Sequence, residues 1–396
     1  MSKIVATIPA GGWPSGIAIA DRRKLLSDII TGRRPRGPFV FVANNGGDSV
    51  SVIRVSDNSV VRTIPGIDAA VDVKISANGA RAYVLRVGGI TVIDTGTHNE
   101  VGWIDHGSGL KSAFAVSRDK AELYIIDGNA VSVVDYNSAA VTATIPVGGA
   151  PVHIELSPDG ARAYTANVYS DDVSVIDRAA QATVATIGVD GEPTAVAVSP
   201  DSARVYVTNA KFQQPTGTVS VIDAATNAVT HTIPVGSSPM AIALSPNGKH
   251  AFVANYTDGV IMKDGKVVGY TGGTISIIDT DINKVVETVK VGNYPTGVAV
   301  TPDGAHVYVS NGEGTVSVVK IESDLKMELN KHIAELLGAV DRDGGGWIIL
   351  GNKVVPIPPR SPSVAVAAKA AAAHYDGAVE DPEIAEHLRR LTNRTD

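Results

Sequence analysis

The sequence predicts an all-β protein, a closed ring of seven four-stranded sheets, and three observations carry that prediction. A strand–turn–strand unit recurs along the chain. Within each copy the apolar residues alternate, with Gly, Pro, Asn and Asp in the gaps. The last copy lacks its final strand, and a segment matching that strand stands at the opposite end of the chain.

The repeat is read most plainly in VHIELSPDGARAYTAN (Val152–Asn167), TAVAVSPDSARVYVTN (Thr194–Asn209), MAIALSPNGKHAFVAN (Met240–Asn255) and TGVAVTPDGAHVYVSN (Thr296–Asn311). A third strand comes after each: DVSVID, TVSVID, TISIID and TVSVVK. A fourth run then ends at a glycine turn, as in NAVTHTIPVG (Asn227–Gly236). One first-strand position gives Ile17, Val73, Phe114, Ile154, Val196, Ile242 and Val298, spaced by 56, 41, 40, 42, 46 and 56 residues. Four strands at a period of roughly 40–45 residues are the signature of a β-propeller. Seven copies predict seven blades.

Taken in order, KIVATIPAGG (Lys3–Gly12) matches ATVATIGVDG (Ala182–Gly191) and is expected to be the outer strand of the seventh blade, tying the ring shut. The SPDG elements are turns, in which proline fixes φ and Asp-Gly tolerates the rest of the reversal. Asp21–Gly37 interrupts the first blade with six Arg/Lys against two Asp. It reads as a solvated surface helix or a contact for acidic groups. Lys211–Gly217 and Thr257–Gly273 enlarge loops between second and third strands. The latter contains a hairpin turning at Asp264-Gly265.

After Glu322 the character changes, so the chain divides into a propeller over 1–322 and a mostly helical extension over 323–396. Leu325, Leu329, Ile333, Leu336 and Leu337 form a helical stripe behind Ser323 as N-cap. WIILGNKVVPI predicts a hairpin turning at Gly351-Asn352, and PIPPRSP (Pro356–Pro362) an extended polyproline-like run. VAVAAKAAAAHY and the segment opening at Asp381-Pro382-Glu383 read as helices. About seventy alanine-rich residues are a small basis for an independent core, so this extension is expected to dock on the ring or on another subunit and offers a route to an oligomer.

The string VYVTN (Val205–Asn209), flanked by SPDS and SVID, resembles the YVTN family of β-propeller repeat proteins over about Lys3–Lys320. The resemblance implies a seven-bladed propeller and no single function. Members include exported or surface binding proteins, and related propellers include lactonases and lyases.

Composition narrows the function classes. A net charge of −7 argues against a nucleic-acid binder working by bulk electrostatics. No run of apolar residues reaches the roughly 18–20 of a membrane helix. Without cysteine there is no thiolate chemistry. GxSxG, HExxH and P-loop motifs are absent, and Gly259–Lys266 lacks the P-loop spacing and its Ser/Thr. A strand beginning at residue 3 leaves no room for a signal peptide, so the chain as encoded is expected to be cytoplasmic; a trimmed mature form of an exported protein would read the same.

Propellers concentrate binding at one mouth of the central channel. The blade-to-blade positions there carry Trp13, Leu110, Ala150, Glu192, Ser238 and Tyr294, and Trp13 and Tyr294 belong to adjacent blades, where they either flank one pocket or cover the ring closure. His153 and Glu155 replace small residues of the other first strands and share one strand face, as do Asp72 and Lys74. A histidine beside a carboxylate at a channel fits a general base or a metal ligand; a set of mutually satisfied buried polar groups fits equally. Asn44, Asn167, Asn209, Asn255 and Asn311 end second strands, where lactonase-type propellers hold a divalent cation with side-chain oxygens; strand-end turn chemistry gives the same residue. The mouth acids Asp48, Asp171, Asp172, Asp258 and Glu313 favour a cationic ligand or a metal.

Two functions remain. One is a non-catalytic scaffold that binds a protein or small ligand through its loop face and C-terminal extension. The other is a metal-dependent lactonase or hydrolase sited at the mouth.

Overall fold

A computed structural model describes residues 2–21, 37–107, 111–211, 214, 216–257 and 272–321, together with the backbone of 260–263, 266–270, 346–350 and 353–357. The basic insertion (Arg22 to Arg36), Leu110, Asp258 and the expected C-terminal helices lie outside the described residues. The chain separates into a unit over Ser2–Ile321 and a second over Glu322–Asp396 that also takes in Met1.

The first unit is a seven-bladed β-propeller of four-stranded antiparallel sheets. Blade 4 shows the pattern: Pro151–Leu156 is innermost, followed outward by Arg162–Asn167, Asp172–Asp177 and Ala182–Gly188. Blades 1, 2, 3, 5, 6 and 7 begin at Pro14, Asp72, Phe114, Pro193, Ser237 and Pro295. Their apolar runs are nearly continuous because both faces of each sheet are covered. In blade 5, Tyr206, Val219 and Val221 pack toward blade 6, while Val205, Val207 and Ile222 pack toward blade 4. One buried cluster fills each of the seven gaps between neighbouring blades, including that between blade 7 and blade 1.

The seventh blade takes its outer strand from the N-terminus. Lys3–Pro9 pairs antiparallel with Thr315–Lys320, setting Ile8 against Val316. Its register slips between Ile4 and Ala6, and the other outer strands slip against their third strands at one place in every blade. A shared bulge marks the N-terminal strand as a seventh copy of the same element.

The turns obey the chemistry of their residues. In SPDG of blade 4, Ser157 Oγ donates to Asp159 (2.6 Å) and accepts from the Arg162 amide (2.8 Å), and Gly160 takes φ +75°. The Asp closing a third strand accepts from the two amides beyond it, as Asp223 does from Ala225 (3.1 Å) and Thr226 (2.8 Å).

Hydroxyls on or just before the inner strands tie blades together around the channel. Ser15 donates to the Ala70 carbonyl (2.9 Å), Ser112 to Pro151 (3.1 Å), Thr194 to Pro239 (2.6 Å) and Thr296 to Pro14 across the closure (2.7 Å). Thr296→Val is expected to cost about 1 kcal/mol, read as a lower urea midpoint. No change in midpoint would mean that this hydrogen bond contributes nothing to closure.

Between blades 3 and 4 the lock is ionic. Arg178, 2% exposed, donates to Tyr124 Oη (3.1 Å), Ser117 Oγ (2.7 Å) and Asp119 (2.9 Å), and lies 3.4 Å from Glu122. A guanidinium with that many acceptors is tolerated inside because its donors are used.

Two hairpins complete the described backbone. Val260–Lys263 pairs antiparallel with Lys266–Tyr270; the turn expected at Asp264-Gly265 lies outside the described residues. In the second unit Gly346–Leu350 pairs antiparallel with Lys353–Ile357; the turn expected at Gly351-Asn352 lies outside the described residues.

Candidate functional site

The blade-to-blade positions share one unusual backbone. Trp13, Ala69, Ala150, Glu192, Ser238 and Tyr294 all have φ between 41° and 58°. This left-handed conformation is costly for side-chain-bearing residues. It persists because the carbonyl is anchored: Asn45 donates to Trp13 O (3.0 Å), Gly312 to Tyr294 O (2.8 Å) and Ala210 to Glu192 O (3.0 Å). None of these six side chains is buried.

At the ring closure the repeated turn carries aromatic residues. Trp13 and Tyr294 lie 6.4 Å apart with planes 15° from parallel, and Tyr256 joins at 5.1 Å from Tyr294, tilted 40°. Trp13 is 48% exposed, and Tyr256 and Tyr294 are half-buried. Glycines let the rings sit close: a Cβ on Gly312 would lie 3.1 Å from Tyr294 Cβ and 3.6 Å from Trp13 Cε2. The shelf thus spans blades 6, 7 and 1. Sequence reasoning paired Trp13 with Tyr294 but missed Tyr256. The signal was present, since the corresponding residues after the second-strand Asn are Asn45, Val168, Ala210 and Gly312.

Carboxylates stand on the loops around the shelf. Asp48 Oδ1 accepts from the Ala69 amide (2.8 Å); Glu313 accepts from Asn293 Nδ2 (2.7 Å) and Thr315 Oγ1 (3.2 Å). Glu192 lies elsewhere on the mouth, its amide donating to Asp171 (2.7 Å).

The polar residues of the inner strands of blades 2 and 4 form one electrostatic group, joined by Arg118 of blade 3. Lys74 Nζ lies 3.4 Å from Asp72. Burial opposes the Lys74 charge, but Asp72 and Glu155 outweigh it and raise its pKa. Burial lifts the Glu155 pKa against the pull of Lys74 and Arg118. His153 accepts from the Val196 amide at Nδ1 (3.3 Å), and burial, with Lys74 nearby, lowers its pKa to about 3. The sequence proposed the pairs Asp72–Lys74 and His153–Glu155; the fold couples them and adds Arg118. A neutral imidazole and a carboxyl inclined to hold its proton can exchange protons with a channel ligand, or simply satisfy the channel wall.

The five strand-end asparagines are buried beside their own third strands. Asn44, Asn167, Asn209, Asn255 and Asn311 are all 0% exposed. Each donates its amide to a third-strand hydroxyl of its own blade: Ser51 (3.0 Å), Ser174 (2.9 Å), Ser220 (2.9 Å), Ser276 (3.0 Å) and Ser317 (3.0 Å). The flat amide also fills the space above the incoming link, where a Cβ on Gly11 would meet Asn44 Cγ at 2.5 Å. Asn209→Ala is therefore expected to lower stability by about 2 kcal/mol, measured by urea unfolding. An unchanged midpoint would remove the structural role. Among the described residues no three His, Asp or Glu side chains gather as a metal set.

Residues 152–285 match the family described as Choice-of-anchor I domain. That segment is blades 4 and 5 and most of blade 6. The chain is similar to "Uncharacterized protein YwhL" of Bacillus subtilis (strain 168), 31% identical over 134 residues, which are 33% of this chain and 28% of that protein. It thus spans little more than a quarter of that relative's length. Among solved structures, Kuenenia stuttgartiensis Hydrazine Synthase aligns with 21% identity and a TM-score of 0.47, covering 64% of this chain and 95% of that one. No helix among the described residues is long and apolar enough to cross a membrane.

Proposed function

We propose that the chain is a non-catalytic recognition scaffold of YVTN-type repeats, holding a protein or small ligand at the mouth of its propeller. Residues 323–396 act in this reading as a second attachment segment, for a partner or another copy. The observation that carries it is the Trp13–Tyr294–Tyr256 shelf. An exposed Trp13 backed by two half-buried tyrosines fits recognition, because large rigid rings bind with little loss of conformational freedom.

A second reading is favoured by one observation, the coupling of His153, Glu155 and Lys74 on the inner strands. A hydrolase would use Glu155 or His153 to move a proton while Lys74 and Arg118 stabilise negative charge. A divalent cation at the mouth belongs to this reading.

The two are separated by assaying the full chain on lactones and p-nitrophenyl esters with calcium, magnesium, zinc or EDTA, with melting monitored in parallel. The scaffold reading expects no turnover and no metal-dependent change in melting. Turnover abolished by Glu155→Gln would replace it with the hydrolase.

A further inference from the structure

Resting on the reading of the mouth as a binding face, we infer that the Trp13–Tyr294–Tyr256 shelf seats an arginine or lysine side chain presented by a protein partner. Three observations converge on a cation.

The first is the rings themselves. Trp13 is 48% exposed and stacked with Tyr294, so the pair presents aromatic surface to solvent. A guanidinium or ammonium over an aromatic face is attracted by the ring quadrupole. The second is charge. Asp48 and Glu313 lie on the two loops that touch Trp13, since Gly46 stands 3.2 Å (as a built Cβ) from Trp13 Cβ and Gly312 3.6 Å from its Cε2. Both carboxylates are fixed by neutral donors, and neither forms an ion pair among the described residues.

The third lies in blade 2, where the chain makes this arrangement with its own residues. Arg86 stacks over Trp103, its guanidinium carbon 4.5 Å from the ring centroid, and its Nη1 lies 3.8 Å from Asp68. Aromatic face, carboxylate and guanidinium are all present there. At the ring closure the aromatic faces and the carboxylates are in place and the cation is supplied from outside. Nucleic acid is disfavoured at the same shelf, because stacking of bases requires a basic groove and the local charge is negative.

The test uses the full chain with Trp103→Phe and Trp347→Phe, leaving Trp13 as the fluorescent reporter. The probes are acetyl-hexaarginine amide, acetyl-hexaglutamate amide and cellohexaose, with calorimetry where Trp13 is altered. Hexaarginine is expected to shift Trp13 emission saturably and to bind more weakly as salt rises from about 20 to about 200 mM. Trp13→Ala and Tyr294→Ala should weaken it about five- to tenfold. Glu313→Gln and Asp48→Asn should each weaken it about two- to threefold. Tyr169→Ala, at an aromatic 87% exposed on another blade, should leave it unchanged.

Equal binding of hexaarginine by wild type, Trp13→Ala and Tyr294→Ala would reduce the effect to bulk charge and overturn the inference. Preference for hexaglutamate or cellohexaose, lost in Trp13→Ala, would overturn the cation while leaving the recognition reading standing. Silence of Trp13 toward all three probes overturns the inference as well. Melting curves of each variant establish that the fold is intact.

Discussion

Deleting Ser2–Pro9 is expected to abolish the single cooperative melt of the propeller and to open blades 7 and 1 to proteolysis. The segment supplies the outer strand of blade 7 and is that blade's only covalent contribution from the N-terminal side. Its loss removes a ladder of paired residues, the Ala10 amide bond to Gly314 O (2.9 Å) if the link loosens, and the Ile8 side chain, 5% exposed between Val316, Val318 and blade 1. Burying Ile8 is worth about 2–3 kcal/mol. The strand Thr315–Lys320 would become an unprotected edge, open to pairing with a second chain. Ile8→Ala isolates the packing part and should cost about 2–4 kcal/mol with cooperativity retained. Restoring the melt by adding a peptide of sequence SKIVATIPAGG in trans would show that pairing closes the ring. A truncated chain that melts like the full one would falsify closure by this strand.

That closure was legible in the sequence because repetition makes a missing element visible: six copies end in a fourth strand and the seventh does not. The faces of the strands were legible too, since alternation decides which residues meet which neighbour. The asparagines were read ambiguously for a physical reason. An Asn at a strand end has the same letter whether its amide faces a mouth or lies against its own sheet. Its partner was nevertheless in the repeat, as the serine of SVSV, DVSV, TVSV and TISI. Arg178 was missed, although it departs from Thr95, Ala224 and Thr280 at equivalent positions. What alternation could not give was proximity between blades two apart. The coupling of Lys74 in blade 2 to His153 and Glu155 in blade 4 depends on channel width and on the short inner strand of blade 3, Phe114–Val116. Tertiary geometry alone supplies it.

Those groups make stability depend on pH between about 4.5 and 7. Lowering pH from 7 to about 4.5 is expected to destabilise the propeller through His153. Its folded-state pKa, about 3, lies below its unfolded value of 6.5. Above pH 6.5 both states are neutral and the stability is fully present; below it the unfolded chain binds a proton that the folded chain refuses. Each pH unit below 6.5 then removes up to about 1.4 kcal/mol, so about 2–3 kcal/mol is lost by pH 4.5. Glu155 has the opposite sign. Its pKa is raised by burial, so the stability it contributes is present below its unfolded value and is lost as pH rises through the folded one. Glu155→Gln should therefore stabilise the protein at pH 7 and steepen the remaining loss toward acid. His153→Asn, whose Oδ1 can accept from the Val196 amide as Nδ1 does, should flatten it. The depressed aspartates, among them Asp159, Asp201 and Asp303, lose their contribution only below about pH 4, whereas His106, its pKa also lowered by burial, adds a loss of the same sign inside the window that His153→Asn leaves in place. Urea midpoints of the three proteins between pH 4.5 and 7 decide the matter. If His153→Asn loses stability over that range as fast as wild type, the titrating group is not this histidine, and the inner strands lose their claim to a neutral imidazole held beside Lys74.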